Sequence, residues 1–557
     1  MLRRGLCSLI VLAGCGGTVD FELPPDAGPD APPPQPARLV VSPPPGTFAA
    51  APAVTVTIDD PDHRVGPLEL WYTVDGSAPV VGTSRRAQPG TPITLDRSRG
   101  LRVFAADAHG AIRFAFFGAY LVLDNTVATF SSNLPVLVLW GEVAVPDSRL
   151  ATFTPSSLSV FVPGPSGRAT WPGPAEDAKR AGIKIRGSST AGYPKHPWHL
   201  ETRDALLDGD DKLALLDMPA DADWALQAPL DFDRALMRNS LAFALSNAIE
   251  RWAPRSAWAE VFIAGTGETV GMDDYVGVYE VTEMITRGRD RVAVESLEAE
   301  DVTEPDVTGG YIFKEDRLGP GESGFRAGTG VDSSLAFQNS FVLVDPDEQL
   351  AVAPQKAYLK AYLDELGVAL TSPGFVTPAG KPYADIIDVD AFIDHHILNL
   401  FTKNPDAFRL SGYYHKRRGG PVVAGPVWDF DRTMGCSSDS RALDPKGWFE
   451  GGGTDLFNQG FYGGLFRDPA FRARYWARMG QLLKGPLDPR RTTAWVDAWA
   501  PRLEEAAVRN FTRWSNYRPR GGSYQSEVQM LEDWLTARAA WMNGCLGLDD
   551  PRTCPRM

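Results

Sequence analysis

The chain has 557 residues, enough for two or more domains with sizeable cores. Charged residues make up 22% and hydrophobic ones 43%, the balance of ordinary globular protein. With 55 basic against 70 acidic residues the net charge is −15, which argues against a general nucleic-acid binder while leaving room for a local basic groove.

Arg3 and Arg4 precede a short apolar run, "GLCSLIVLAGC", too short to span a bilayer and patterned like a secretion signal. Its end, "LAGC", resembles a bacterial lipobox. That resemblance implies cleavage of residues 1–14 and lipidation of Cys15. Acyl chains anchor firmly, at about 0.8 kcal/mol per buried CH₂. The tract that follows, residues 15–37, is rich in Pro, Asp and Gly and reads as an extended tether. No later run of 18 or more apolar residues occurs, so the rest is expected to be soluble and tethered to the cell envelope.

Residues 38–125 read as all-β. "AVTVTI" alternates Val54, Val56 and Ile58 with threonines, "LELWYTVDGSAP" turns at Asp75-Gly76, and "TPITL" and "GLRVFAADAHG" follow. Short strands at this spacing predict a small β-sandwich. "YTVDGSAP", "PITL" and "RVFAADAHG" together resemble the chitobiase/hexosaminidase C-terminal-type module, which implies an immunoglobulin-like accessory domain; no catalytic constellation stands in it, and a spacer role is favoured over carbohydrate binding.

From residue 134 the pattern becomes mixed α and β. "LPVLVLWG", "AGIKIRGSST", "WAEVFIAG", "DDYVGVYEVTEMI" and "GGYIFKED" read as strands. Residues 231–252 read as a helix carrying Leu236, Leu241, Leu245 and Ile249. "DVDAFIDHHILNLF" predicts a helix with Asp388 as N-cap, His396 towards the core and His395 outside. "SEVQMLEDWLTARAAWM" predicts a last helix with a Ser526/Gln529 capping box. Cys545 and Cys554 are spaced for a local disulfide, leaving Cys436 free; no zinc spacing is present.

The chemistry gathers in "VWDFDRTMG". On a strand, Asp429 and Asp431 would share one face roughly 6–7 Å apart, and two such charges repel unless a cation lies between them. Asp406, in the loop "TKNPDAF", precedes Asp429 by 23 residues. A loop acid followed by a strand-end pair suits phosphoryl transfer, one carboxylate taking the hydroxyl proton and the others holding Mg²⁺ against phosphates. Solvated turn aspartates would read the same way from spacing alone. A GxxxxGK[ST] loop and a G-x-S-x-G elbow are both absent, and His395 and His396 are adjacent rather than i, i+4. The Asp pair also has the residue type of a glycosidase site, with only the accessory module in its favour.

"IKIRGSST", "YPKHPWHLE", "RALMRNSLAFAL", "YVGVYEVTEMI", "GGYIFKED", "NPDAF" and "VWDFDRTMG", in this order across residues 134–545, resemble the CotH family of spore-coat and secreted kinases. A tail, 546–557, follows. The resemblance implies an α+β, atypical protein-kinase-like domain behind the sandwich, ATP with Mg²⁺ or Mn²⁺, and phosphorylation of hydroxyl side chains on exported proteins. It makes Asp406 the catalytic acid/base and Asp429 the principal metal ligand, assisted by Asp431. Arg186, Lys195 and Lys314 become candidates to meet phosphates, and Glu283 to position one of them by an ion pair. Arg238 and Asn239 are expected to fix a helix start. The family's Asn before the Tyr pair is replaced in "LSGYY" by Ser411 and Gly412, which bears against a second metal site and favours the alternative of a catalytically silent adhesion or assembly protein.

Overall fold

The computed structural model describes residues 36–141, 146, 148, 152–265, 267–319, 321–448 and 455–555. Cys15, the signal run and most of the tether lie outside them. The N-terminal part is mostly strands. The strands Arg38–Ser42, Ala53–Asp59 and Ile93–Thr94 form one sheet, and five strands between Gly46 and Val122 join Gly173–Pro174 in a second of six. Val54, Val56, Leu70, Leu101, Val103 and Tyr120 fill the space between, every second residue pointing inwards as strand pleating requires. The strand Gly173–Pro174 comes from beyond the expected boundary at residue 125 and pairs with Thr47 and Gly46. Leu121, Leu123 and Val127 also share a core with Val136, Val138 and Phe262, so the N-terminal strands and the part that follows pack as continuous structure.

Seven strands then close a barrel in the order Val136–Gly141, Thr154–Phe161, Asp177–Ile185, Trp198–Arg203, Asp223–Gln227, Tyr275–Glu283 and Ser256–Gly265, the last running parallel to the first. Leu137/Leu139, Ala181/Ile183/Ile185, Trp198/Leu200, Trp224/Leu226 and Tyr279/Val281 fill its interior. Beyond it, Ser340–Asp345, Tyr311–Asp316, Gly412–Lys416 and Val422–Ala424 form a four-stranded sheet.

Among the described residues there are seven α-helices: α1 (Arg238–Ala248), α2 (Ala353–Thr371), α3 (Val389–Thr402), α4 (Tyr462–Leu465), α5 (Pro469–Leu483), α6 (Pro489–Arg513) and α7 (Tyr524–Cys545). They share one large apolar core with the four-stranded sheet. None is long and apolar enough to cross a membrane.

Three helix expectations need correction. α1 starts at Arg238, not near 231, because Leu236 is left-handed (φ 63°) and the Asp233 carboxylate takes the Arg238 N–H (2.7 Å). α7 starts at Tyr524, capped by Ser523 Oγ accepting from Ser526 N; the Gln529 amide instead donates to Asp533. His395 is buried along with His396. The Asp388 cap is present, its carboxylate accepting from Ala391 N at 2.9 Å. Cys545 and Cys554 form a disulfide, and Cys436 is free and buried.

Candidate active site

Asp177–Ile185 ends at the barrel rim, and the next residue, Arg186, leaves the strand towards the four-stranded sheet. Between the two lies a cavity of about 480 Å³ lined by Arg186, Lys314, Asp406, Asp429 and Asp431, among others. Five of the seven residues singled out for phosphate or metal chemistry therefore meet there. Lys314 and Asp316, two apart on one strand, face it together and pair at 3.3 Å, with Tyr413 opposite Lys314 in register.

Asp429 and Asp431 do not reach the cavity by strand alternation. The strand stops at Ala424, and Asp429 is left-handed (φ 68°), an uncommon state for a non-glycine residue. The turn delivers both carboxylates to one side, and Ser411 Oγ lies 3.5 Å from Asp429 Oδ2. Two buried side chains brace that turn. Asn239 Oδ1 accepts the Phe430 N–H (2.6 Å), the amide between the two acids. Arg238, fully buried and paired with Asp233 (2.7 Å), donates through Nε to the Thr433 carbonyl (3.1 Å). These residues begin α1 as expected, and in addition they hold the aspartate turn.

Asp429 opens onto the cavity but is ringed by protein. Burial, then the neighbouring charges of Asp406 and Asp316, raise its pKa to about 6. Burial followed by the Asp429 and Asp233 charges raises Asp431 well above the usual range. Among the described residues neither carboxylate has a lysine or arginine within ion-pair distance, whereas Asp406 is held by Arg409, with Arg432 at 3.6 Å and Arg441 at 4.0 Å. Arg186 is likewise without a carboxylate partner; it stacks over Trp428 at 5.2 Å.

Lys195 and Glu283 lie outside the cavity. Lys195 is 1% exposed, and its ammonium donates to the carbonyls of Pro229 and Val278 and to Asn510 Oδ1 (3.0 Å), tying α6 to the barrel. Gly277 permits that approach: it has φ 103°, and a Cβ there would sit 2.3 Å from Asn510 Oδ1. Glu283 is buried and binds Arg255 (2.7 Å) and Arg291 (2.6 Å), not Arg186 or Lys195. Arg409, Arg432 and Asp316 complete the site, and of these only Arg409 and Arg432 carry a signal in the sequence, standing within three residues of a candidate acid.

The donor set suits a magnesium ion shared with phosphates, which takes one or two carboxylates and leaves its remaining positions to phosphate and water. Asp429 and Asp431 are two such carboxylates without a cation of their own. Among the described residues no group of three or more His, Cys, Asp or Glu side chains is arranged to hold a metal by protein alone. No curated protein matches the chain. The family described as CotH kinase protein matches residues 183–542, well over half the sequence and the whole span that builds this cavity. The chain belongs to the CotH kinase family.

Proposed function

We propose that the protein is an atypical kinase that transfers phosphate from ATP to hydroxyl side chains of exported or envelope proteins, held at the cell envelope by lipid on Cys15. Family membership suggests kinase activity and implies ATP. The observation that carries the site assignment is the pair Asp429 and Asp431, unpaired in a cavity that also holds Arg186, Lys314 and Asp406. Two free acids and a free guanidinium in one cleft suit a ligand bringing its own metal and its own phosphates.

In this reading Asp429 and Asp431 hold a divalent cation, Mg²⁺ or Mn²⁺, which when bound neutralises phosphate charge. Arg186 meets the phosphates from the barrel rim, and Lys314 does so from the sheet. Asp406 accepts the proton of the acceptor hydroxyl. The strand-rich N-terminal part, read as an immunoglobulin-like module, spaces the cleft from the membrane. A second reading, a silent relative serving adhesion or assembly, is favoured by two observations: Arg409 engages Asp406, and Gly412 and Ser411 stand where an amide ligand is expected.

The test is thermal protection by Mg·ATP or Mn·ATP. A ligand specific for the folded state adds about 2.7 kcal/mol at 100 times its dissociation constant. The shift is expected in the native chain and absent in Asp429→Ala. Incubation with labelled ATP and envelope proteins then reads transfer. No shift with either cation would leave the silent reading.

A further inference from the structure

A second cavity, of about 250 Å³, lies behind the aspartate turn. Its walls come from the end of α1 (Ser246) and the residues after it (Trp252), from α3 (His395 and Leu398), from the sheet (His415) and from residues 423–427. Val427 faces this cavity, while Trp428 faces the one in front. An occupant would lean on the segment that carries Asp429.

The two histidines give the cavity a definite chemistry. His395 is only 5% exposed, and its Nδ1 is sealed from solvent with no hydrogen-bond partner. Orphaned buried N–H groups are rarer in folded proteins than unfilled acceptor positions, so we assign the proton to Nε2, the nitrogen left to meet a ligand. His415 Nδ1 lies 3.3 Å from the Gly425 carbonyl and can only donate to it, leaving Nε2 as an acceptor. Burial holds both rings neutral, lowering each pKa to about 4. The arginines at the edge are committed already: Arg251 to Asp394 (2.8 Å) and Arg291 to Glu283 (2.6 Å). The Ser246 hydroxyl is bonded to the Arg251 carbonyl. The exposed Glu250 carboxylate and the half-buried Arg251 guanidinium stand at the edge, and the two histidines add one donor and one acceptor, both uncharged, among Leu398, Val427 and Trp252.

Size narrows the ligand further. A dry cavity of about 150 Å³ holds benzene, so this one suits a flat bicycle of roughly ten heavy atoms. We propose that the cavity is a binding site for a small, neutral, bicyclic heteroaromatic compound presenting adjacent acceptor and donor nitrogens to His395 and His415. This site is separate from the phosphate-transfer reading and stands whether or not the front cleft is active.

Calorimetric titration of the full chain with indazole, indole and indene tests it. The three share shape and differ in nitrogens: indazole can meet both histidines, indole only the acceptor, indene neither. Saturable indazole binding is expected, with affinity falling roughly fivefold for each missing hydrogen bond. Ala293→Trp, at an exposed position on the rim, is expected to plug the cavity and abolish binding without moving the unfolding midpoint. The proposal is overturned if indazole does not bind, if indene binds as tightly, or if the folded Ala293→Trp chain keeps native affinity.

Discussion

Asn239→Ala isolates the brace behind the proposed metal site. In the native chain Asn239 Oδ1 accepts the Phe430 N–H at 2.6 Å, and its side chain also supports Glu280. Asn239 is 4% exposed, and that hydrogen bond lies in the interior. Truncation leaves the amide without an acceptor, at a cost of about 1–3 kcal/mol. Against a typical stability of about 5–15 kcal/mol this is large but survivable. A functional loss should exceed the stability loss, because the amide joins the two carboxylates that are proposed to converge on one ion. A displacement of about 1 Å at reacting groups can cost roughly a hundredfold in rate. Urea unfolding followed by tryptophan emission measures the first effect, and the Mg·ATP thermal shift the second. Asn239→Asp retains the acceptor while adding a charge, so it should spare the turn geometry more than alanine does. A stability change under about 0.5 kcal/mol, with the nucleotide shift unaltered, would refute the bracing argument.

Arg186→Met and Lys195→Met should separate two lysine/arginine candidates that look alike in the sequence. Arg186→Met is expected to remove the nucleotide shift while altering stability by less than about 1 kcal/mol; Lys195→Met strands the Pro229 and Val278 carbonyls, Asn510 Oδ1 keeping the Val278 N–H, and should cost several times more by urea unfolding, at about 1–3 kcal/mol per orphaned group. Glu280 is fully buried, and its pKa is raised to about 8 by burial first and by the Asp233 charge second. The folded state therefore holds this proton between about pH 4.5 and 8 while the unfolded chain releases it, so stability falls as pH rises through that window. Glu280→Gln should flatten that fall in a pH series of unfolding midpoints; an unchanged slope would exclude Glu280 as its source.

Much of the fold was legible because strand alternation and helix periodicity are local. The inward series of the barrel, 137/139 and 181/183/185, stands in the text itself. So does the Asp388 cap. The α1 start was misread because the apolar spacing of Leu236 fits a helix, whereas Asp233 captures the Arg238 amide and fixes a later beginning. At the site, "VWDFDRTMG" and "NPDAF" could be found because acids at fixed spacing are themselves the signal. Lys195 and Glu283 could not be sorted from cavity-lining residues in this way. A lysine beside a glycine-rich turn has the same text whether it faces phosphate or three protein oxygens. What decides is Asn510, 315 residues onward, and for Glu283 it is Arg255 and Arg291, which carry no motif.

Asp406 is where the kinase and silent readings part. Arg409 holds Oδ1, and Arg432 stands 3.6 Å from Oδ2, so the carboxylate that should take a hydroxyl proton is occupied. Two of the three nearby guanidiniums have another anion to rest on: Asp439 binds Arg432 at 2.9 Å and Arg441 at 2.6 Å. Their pairing with Asp406 is dispensable. Among the described residues Arg409 has only the Pro405 carbonyl besides Asp406 (3.2 Å). Freeing the acid therefore comes down to one side chain. If the cleft is a kinase, Arg409→Met should raise turnover, since a positioned base is worth about 10²–10⁴ in rate and this substitution exposes it. Phosphate release onto an acceptor protein, measured with labelled ATP at saturating Mg²⁺, reads the change. A fall in turnover would mean that Arg409 works on the phosphate side of the reaction, and that its contact with Asp406 is a resting position rather than a restraint.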